Sequence, residues 1–467
     1  MDKSNQKKDL EQSGSARAPE NKMGVMPVNR LLLSMSLPMM ISMLVQALYN
    51  IVDSIFVAQI CEDALTAVSL AFPIQNIMIA LAGGTGVGVN ALLSRRLGEG
   101  NLETARKVAH NGIFLALCNY LAICLIFGIC FSRTFFTAQT DDPEIIAYGH
   151  TYVSIVATCS FGLFGQFIFE RLLQSTGRTL FTMITQSTGA IINIILDPIL
   201  IFGWFGLPEM GIAGAALATI IGQIIAMVMA LIFNIKKNTE LNFNMKGFRP
   251  NLSLIGQIYK VGVPSILMQS IGAVMNFGMN RILISFTSTA TAVFGIYYKV
   301  MSFAIMPVFG LNNGMVPIIA YNYGAQKRKR IISTFKLAVL YAMILMWIGL
   351  AVFQLIPEQL LMMFNASAQM LEIGVPALRT ISLHFVVAGF CIISGSALQA
   401  MGRGMSSLVI SAARQLLVLL PSAYILGKVG GLHLIWWSFP LAEVASLVCS
   451  IVMIQRLYRQ VVSRLPE

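Results

Sequence analysis

Apolar residues run through this chain in long blocks that short polar segments interrupt. The first block, residues 31–60, contains a single charge, and an α-helix needs about 20 apolar residues to cross a bilayer. The pattern therefore predicts an all-α integral membrane protein with twelve transmembrane helices. We place these spans at about residues 31–60, 66–96, 107–132, 144–174, 180–203, 210–235, 256–286, 290–322, 331–356, 370–400, 404–427 and 432–457.

The composition excludes an ordinary soluble protein. Hydrophobic residues make up 56% of the chain and charged residues only 11%, with a mean hydropathy of +0.75, whereas soluble proteins carry about 25% charged residues. The seven cysteines form no C-x-x-C pair and the four histidines are scattered, so we expect neither disulfides nor a metal centre. No nucleotide-binding motif or nucleophile elbow is visible, which argues against an enzyme and against a cofactor.

The charges are distributed unevenly between the two sides of the predicted membrane. Most of the 32 basic residues fall in alternate connecting segments, for example Arg95, Arg96 and the run 327–330, while Asp141 and Asp142 lie in the others. Basic loops stay in the cytoplasm, so we expect both termini there. This distribution explains the net charge of +12 without nucleic acid. Residues 1–27 are polar, and we expect them to form a disordered cytoplasmic tail.

The two halves of the chain repeat each other. A shift of 226 residues overlays residues 38–98 on the second half without gaps, and a shift of 225 overlays 173–178 on 398–403. The matches fall at constrained Pro and Gly positions, which pair Pro38 with Pro264, Gly84 with Gly310, Gly88 with Gly314 and Gly98 with Gly324. We therefore predict two pseudo-symmetric six-helix bundles, an N-lobe (28–235) and a C-lobe (256–467), joined by a cytoplasmic loop (236–255), with substrate bound between them.

Two aspartates, Asp53 and Asp197, lie inside apolar spans, where a carboxylate is costly. At the corresponding positions of the second half stand Met279 and Ser422. A carboxylate that only held the bundle together would be expected in both halves, so this asymmetry points to function. Two carboxylates suit Na⁺ or H⁺ equally well. The alternative is that each aspartate pairs with a buried cation, for which Arg281, Lys299, Arg379 and Arg414 are available.

Other polar residues extend these two positions into stripes. Ser42, Gln46, Asn50 and Asp53 share one helix face, and Gln186, Asn193 and Asp197 share another. Gln269, Asn276 and Asn280 follow span 7, where they face either a substrate cavity or a neighbouring helix. We expect Glu170 near the membrane surface. Glu443, in the last span, fits a buried ion pair and a functional acid equally well.

With these features the chain resembles the MATE (multidrug and toxic compound extrusion) family, in its MepA-like and DinF-like bacterial branch. The resemblance covers residues 30–460 and rests on Leu37-Pro38, Asn50-Ile-Val-Asp53, Ser94-Arg95-Arg96-Leu97-Gly98-Glu99-Gly100, Gln174-Ser-Thr-Gly177-Arg178, Asn193-Ile-Ile-Leu-Asp197-Pro198 and Gly211-Ile-Ala-Gly214-Ala-Ala-Leu-Ala-Thr219.

The resemblance implies a cation-coupled antiporter in the bacterial cytoplasmic membrane that expels organic, often cationic, drugs. By motif, Asp53, Asn193, Asp197 and Thr219 would form the cation-coupling site, with any Na⁺ held by the first three. The substrate cavity would include Gln46, Asn50, Gln186, Gln269, Asn276 and Asn280. Another bacterial branch has acids in spans 7 and 10, and Met279 departs from that pattern. We expect a monomer without nucleic-acid partners.

A lipid-linked sugar flippase from a related superfamily is the alternative function. Such a protein would need a cationic groove for pyrophosphate. The basic residues Arg281, Lys299, Arg379 and Arg414 in the second half keep this alternative open.

Overall fold

The computed structural model describes residues 21–241, 243, 247–364 and 366–466. Within these ranges the chain is helical and contains no β-strand. Ten helices are each long and apolar enough to cross a membrane. Two further pairs, Pro143–Thr158 with Phe161–Ser175 and Ala368–Ser382 with Phe385–Ala400, are bent by 44° and 50° and each provide one more span. The prediction of an all-α protein with twelve spans is confirmed.

The spans are numbered 1 to 12 in chain order. Spans 1 to 6 are Val28–Ala58, Glu62–Gly98, Leu102–Cys130 (its last turns π-helical), Pro143–Ser175 (the first bent pair), Thr179–Ile201 and Gly211–Lys237. Spans 7 to 12 are Leu252–Ile284, Ser288–Gly324, Arg328–Leu355, Ala368–Ala400 (the second bent pair), Gly404–Gly430 (with a π-helical stretch at Ala413–Leu419) and Ser438–Gln460. Short helices at Ser132–Thr137, Pro357–Met362 and Leu432–Ile435 lie in the connections.

Several spans extend beyond their predicted limits because polar residues continue the helix to a cap. The side chain of Asn101 accepts a hydrogen bond from the backbone of Thr104 at the start of span 3. The side chain of Asn251 does the same for Leu254 at the start of span 7. Such caps satisfy backbone N–H groups that the first helical turn leaves open. Helix therefore begins five residues earlier in span 3 than its apolar residues alone predict.

The spans form two six-helix lobes, spans 1–6 (N-lobe) and spans 7–12 (C-lobe). Spans 1 and 2 of the N-lobe pack against spans 8 and 7 of the C-lobe. We call the end of the bundle where spans 1 and 7 begin and span 12 ends the terminal end. The glycine contacts between lobes all lie in the half nearer this end: Gly84 on Ile266, Gly88 on Ile258, Gly98 on Tyr321, Gly310 on Met40, Gly314 on Ser36 and Gly324 on Arg95.

A short segment before span 1 bridges the two lobes at the terminal end. Lys22–Val25 forms one helical turn, and Met23 within it is fully buried. Asn21 donates to the backbone oxygen of Thr176 at 3.2 Å in the N-lobe, and Arg330 of the C-lobe donates to the backbone oxygens of Met23 and Met26 at 3.0 and 2.7 Å. These bonds order the last residues of the expected tail, while residues 1–20 lie outside the described ranges.

Candidate functional site

Asp53 of span 1 and Asp197 of span 5 meet inside the N-lobe. Their carboxyl groups lie within hydrogen-bonding reach of each other. The side chain of Asp197 is fully buried, and its oxygen Oδ1 has no hydrogen-bond partner among the described residues. Two carboxyl groups this close together repel each other when both are ionised. The arrangement therefore calls for a cation or a proton between them.

Asn193 and Thr219 continue this site on one side. Asn193 lies one helical turn before Asp197 and is almost fully buried. With its amide nitrogen toward Asp197, it donates to Oδ2 at 3.2 Å and accepts from the hydroxyl and backbone N–H of Thr219 at 3.2 and 3.1 Å. This orientation satisfies both ends of the amide, whereas the reverse one sets the amide oxygen against a carboxylate. Asn193 thus links Asp197 to span 6.

Two glycines make this link possible. Gly189 of span 5 and Gly222 of span 6 face each other, so that a Cβ on Gly189 would lie 3.0 Å from the backbone oxygen of Gly222. A Cβ on Gly222 would lie 3.4 Å from the Cβ of Asn193. Small residues let two membrane helices approach closely. The close approach of spans 5 and 6 brings the side chains of Asn193 and Thr219 within hydrogen-bonding distance.

No cation of the described chain neutralises the two aspartates. Tyr49 and Tyr152 stand close to both carboxyl groups, and the Tyr152 hydroxyl accepts from Gln75 at 2.8 Å. Among the described residues, neither aspartate takes part in an ion pair, and Arg414 pairs instead with Glu443. The interpretation that each aspartate has a buried cationic partner is therefore wrong.

A cavity of about 110 Å³ opens inside the N-lobe beside this site. Spans 1, 4, 5 and 6 form its wall, to which Asn313 of span 8 adds one residue from the C-lobe. Its polar lining consists of Gln46, Tyr49, Gln166, Glu170, Arg171, Gln174, Gln186, Asn193, Thr219 and Gln223. Such a concentration of amides and charges in a membrane-embedded cavity is typical of an ion or substrate pathway.

Glu170, near the end of span 4, is a member of this cavity. Its side chain is 2% exposed. The carboxylate accepts from Gln166 at 3.0 Å, Thr185 at 2.9 Å and Gln186 at 2.6 Å. Gln186 also contacts the hydroxyl of Ser42. The sequence signal that could have identified it is the Gln166–Glu170 pair, which shares a helix face.

Arg171 points from the same cavity toward the other lobe. One guanidinium nitrogen donates to Gln174 at 2.8 Å and to Asn313 of span 8 at 3.0 Å. The cavity wall therefore holds an acid and a base on adjacent residues. The bond to Asn313 ties the N-lobe cavity to the C-lobe.

The predicted cavity residues divide into two groups. Gln46 and Gln186 line the N-lobe cavity. Asn50, Gln269, Asn276 and Asn280 lie outside it: Asn50, Gln269 and Asn280 are exposed, and Asn276 lies beside Tyr298. Gln269 approaches Gly83 of span 2, so it lies where the two lobes face each other.

Among its described residues, the C-lobe has no counterpart of the aspartate pair. Met279 is fully buried, and the hydroxyl of Ser422 donates to Leu419 of its own helix at 3.1 Å. Glu443, which the sequence left open, forms an ion pair with Arg414 at 3.3 Å. The two lobes thus share a scaffold and differ in the charges at their centres.

The described part of the chain holds no group of three or more His, Cys, Asp and Glu side chains that could bind a metal ion. The seven cysteines are free. The carboxylate oxygens of Asp53 and Asp197 are hard ligands, which suit Na⁺. The amide oxygen of Asn193 accepts from Thr219 and faces away from them.

Comparison with known proteins places this architecture in a family. The MatE family model matches residues 38–199 and again residues 264–425. The multidrug export protein MepA of Staphylococcus haemolyticus (strain JCSC1435) is 28% identical over 409 residues, which cover 87% of this chain and 89% of that protein. MepA of Staphylococcus aureus (strain MRSA252) is 27% identical over 419 residues, which cover 89% and 91%.

Solved structures give the same result. An outward-facing conformation of a multidrug resistance MATE family transporter matches with a TM-score of 0.89, 25% identity and coverage of 95% of this chain and 99% of that one. A crystal structure of MATE in complex with MaL6 matches with a TM-score of 0.88 at the same identity and coverage. The twelve-span architecture, the internal repeat and the double match of the family model lead to one assignment: this chain belongs to the MatE family.

Proposed function

We propose that this protein is a secondary active antiporter that exports organic, often cationic, drugs in exchange for H⁺ or Na⁺. The MepA relatives are named multidrug export proteins, and this supports the substrate class. The observation that carries the coupling proposal is the contact between the carboxyl groups of Asp53 and Asp197, without a cationic partner among the described residues.

The same contact supports the coupling chemistry. A proton shared between the two carboxyl groups would remove their repulsion, and so would a Na⁺ ion held by their oxygens. The free Oδ1 of Asp197 offers a position for either cation, and Asn193 would add its amide oxygen to a Na⁺ site once its amide turns over. Binding of the cation would neutralise the N-lobe cavity, disfavour retention of a cationic drug and so drive its release.

The contacts between lobes support an alternating-access mechanism. The distribution of basic residues favours a cytoplasmic terminal end. With that orientation, the glycine contacts between spans 1 and 8 and spans 2 and 7 close the cytoplasmic side. Transport would then require these contacts to separate as the lobes, residues 28–235 and 256–467, rock against each other about the loop between them.

The alternative, a lipid-linked sugar flippase, is not favoured. That function needs a cationic groove, but three of the four basic residues that would form it have separate environments. Arg281 lies over the ring of Phe277, Lys299 over that of Phe364, and Arg414 pairs with Glu443. The export proteins among the relatives support drug transport instead.

The decisive experiment uses the purified protein in proteoliposomes loaded with the cationic dye ethidium. A pH gradient and a Na⁺ gradient are imposed separately, and dye movement is recorded. We expect one of the two gradients to drive transport in the wild type. Asp53→Asn and Asp197→Asn should each abolish the gradient-driven component.

Asp141→Asn is the matched control, because Asp141 is exposed in the connection before span 4. It should transport at the wild-type rate. If both intramembrane variants also do so, the coupling mechanism is wrong. If neither gradient moves the dye in the wild type, antiport itself is refuted.

A further inference from the structure

The ion pair between Arg414 of span 11 and Glu443 of span 12 lies inside the C-lobe. Guanidinium Nη1 and carboxylate Oε2 are 3.3 Å apart. The other ion pairs of the described residues, such as Arg96–Glu99 and Arg178–Glu240, lie at or beyond span ends. A charged pair within the membrane costs free energy, so its presence there suggests a function.

The two partners of this pair differ in exposure. The side chain of Glu443 is 3% exposed and that of Arg414 31%. Tyr298 of span 8, Cys391 of span 10 and Glu443 of span 12 all lie close to Arg414. Neighbours from three other spans thus approach Arg414, while part of its side chain stays exposed.

The pair leaves polar atoms without partners. Oε1 of Glu443 and the hydroxyl of Tyr297 are buried and make no hydrogen bond to any described residue. Arg414 donates a single hydrogen bond within the described ranges, through Nη1 to Glu443. A guanidinium carries five N–H donors. Arg414 therefore keeps unused donors on a partly exposed side chain.

The internal repeat shows which residue of the N-lobe corresponds to Arg414. Spans 5 and 11 begin at Thr179 and Gly404, and the same shift of 225 residues places Arg414 at the position of Gly189. Gly189 lines the N-lobe cavity. The C-lobe thus carries a long cationic side chain where the N-lobe leaves space. Arg414 also lies in a π-helical stretch, Ala413–Leu419, and such turns frequently occur at functional sites.

The charges of the two lobes are therefore complementary to a molecule with two opposite charges. The N-lobe offers the carboxyl groups of Asp53 and Asp197, and the C-lobe offers the guanidinium of Arg414. An arginine binds a carboxylate through two parallel N–H donors, which gives directional selectivity.

We propose that Arg414 is a specificity-determining residue that binds the carboxylate of zwitterionic organic substrates, and that Glu443 is the partner of its guanidinium when no substrate is bound. This inference rests on the proposed export function and defines its substrate class further. Tyr298, which lies beside Arg414, and Asn276, which lies beside Tyr298, complete the polar face that the carboxylate would meet. The amine end of such a substrate lies toward the acidic N-lobe.

Two dyes that differ in one group test this inference. Rhodamine 110 carries a free carboxylate, and rhodamine 123 is its methyl ester. We would measure the Kd of each dye for the purified full-length protein by fluorescence polarisation at pH 7. Arg414→Gln combined with Glu443→Gln removes both charges and leaves none unpaired. It should weaken binding of rhodamine 110 at least tenfold relative to rhodamine 123.

The single variant Glu443→Gln should change the ratio of the two Kd values in the opposite direction. It frees the guanidinium from its carboxylate, so it should tighten rhodamine 110 relative to rhodamine 123 several-fold. Arg414→Lys keeps the charge and loses the paired donors, so it should lie between the wild type and the double variant. A pair with only a structural role would change the Kd of both dyes by the same factor in every variant.

Arg281→Gln is the matched control, since Arg281 is an exposed arginine of the same lobe that lies over Phe277. It should leave the Kd ratio within twofold of the wild type. An unchanged ratio in the double variant, or a wild type that binds rhodamine 123 alone, overturns the inference and leaves the export proposal intact. A wild type that binds neither dye contradicts both.

Discussion

Gly98 of span 2 and Gly324 of span 8 each pack against the backbone of the other span. A Cβ on Gly98 would overlap the carbonyl oxygen of Tyr321, and a Cβ on Gly324 would overlap that of Arg95. The two glycines correspond to each other in the internal repeat. The repeat thus places equivalent glycines at one contact, where each glycine leaves room for the backbone of the other lobe.

The first prediction concerns this contact. Gly324→Ala should prevent full closure at the terminal end. The added methyl group would clash with the backbone of span 2, which cannot move aside as a flexible side chain can. We expect spin labels on the terminal ends of spans 2 and 8 to move apart in double electron–electron resonance. Gly295→Ala, on the same span, adds a methyl group where nothing lies within 4 Å. It should leave the distances unchanged; equal distances in both variants would refute a tight seal.

A second prediction separates Asn193 from Thr219. Asn193→Leu removes the amide that donates to the buried carboxylate of Asp197. An unsatisfied buried group costs about 1–3 kcal/mol. That cost falls on the carboxylate in its cation-free state, so the half-saturating cation concentration for transport should fall about tenfold. Thr219→Val should have a smaller effect, because the backbone N–H of Thr219 still serves Asn193. The reverse order would contradict this geometry.

The third prediction tests the hydrogen bonds of Glu170. Glu170→Gln replaces one acceptor oxygen with a donor, so at least one of its three donors, Gln166, Thr185 or Gln186, loses its acceptor. We expect a loss of about 1–3 kcal/mol and a lower Tm in detergent. Glu372→Gln, at an exposed position of span 10, should leave Tm unchanged. A stable Glu170→Gln variant would show that these bonds contribute little.

The fourth prediction concerns the segment before span 1. Arg330→Ala removes the donors to the backbone oxygens of Met23 and Met26. Each bond contributes about 0.5–1.5 kcal/mol, or more because the donor is charged. Amide hydrogen exchange at residues 22–26 should therefore accelerate at least tenfold. Lys336→Ala, at an exposed site of span 9, serves as the control, and equal exchange in both proteins would contradict a structural role for Arg330.

The number and order of the spans could be predicted from the sequence because membrane helices are determined locally. Each needs about 20 apolar residues and satisfies its own backbone. The repeat was also visible, since Pro and Gly positions such as Pro38 and Pro264 are constrained by backbone geometry. The asymmetry of Asp53 and Asp197 against Met279 and Ser422 followed from the same alignment.

Only the tertiary structure decided which polar residues meet. Helical periodicity places Gln46, Asn50 and Asp53 on one face, yet Gln46 lines the cavity and Asn50 does not, because the neighbouring spans determine which part of a face is covered. The same holds for charges. Span 4 alone does not show that Glu170 accepts hydrogen bonds from Thr185 and Gln186 of span 5. Partners that come from other spans cannot be read from one helix.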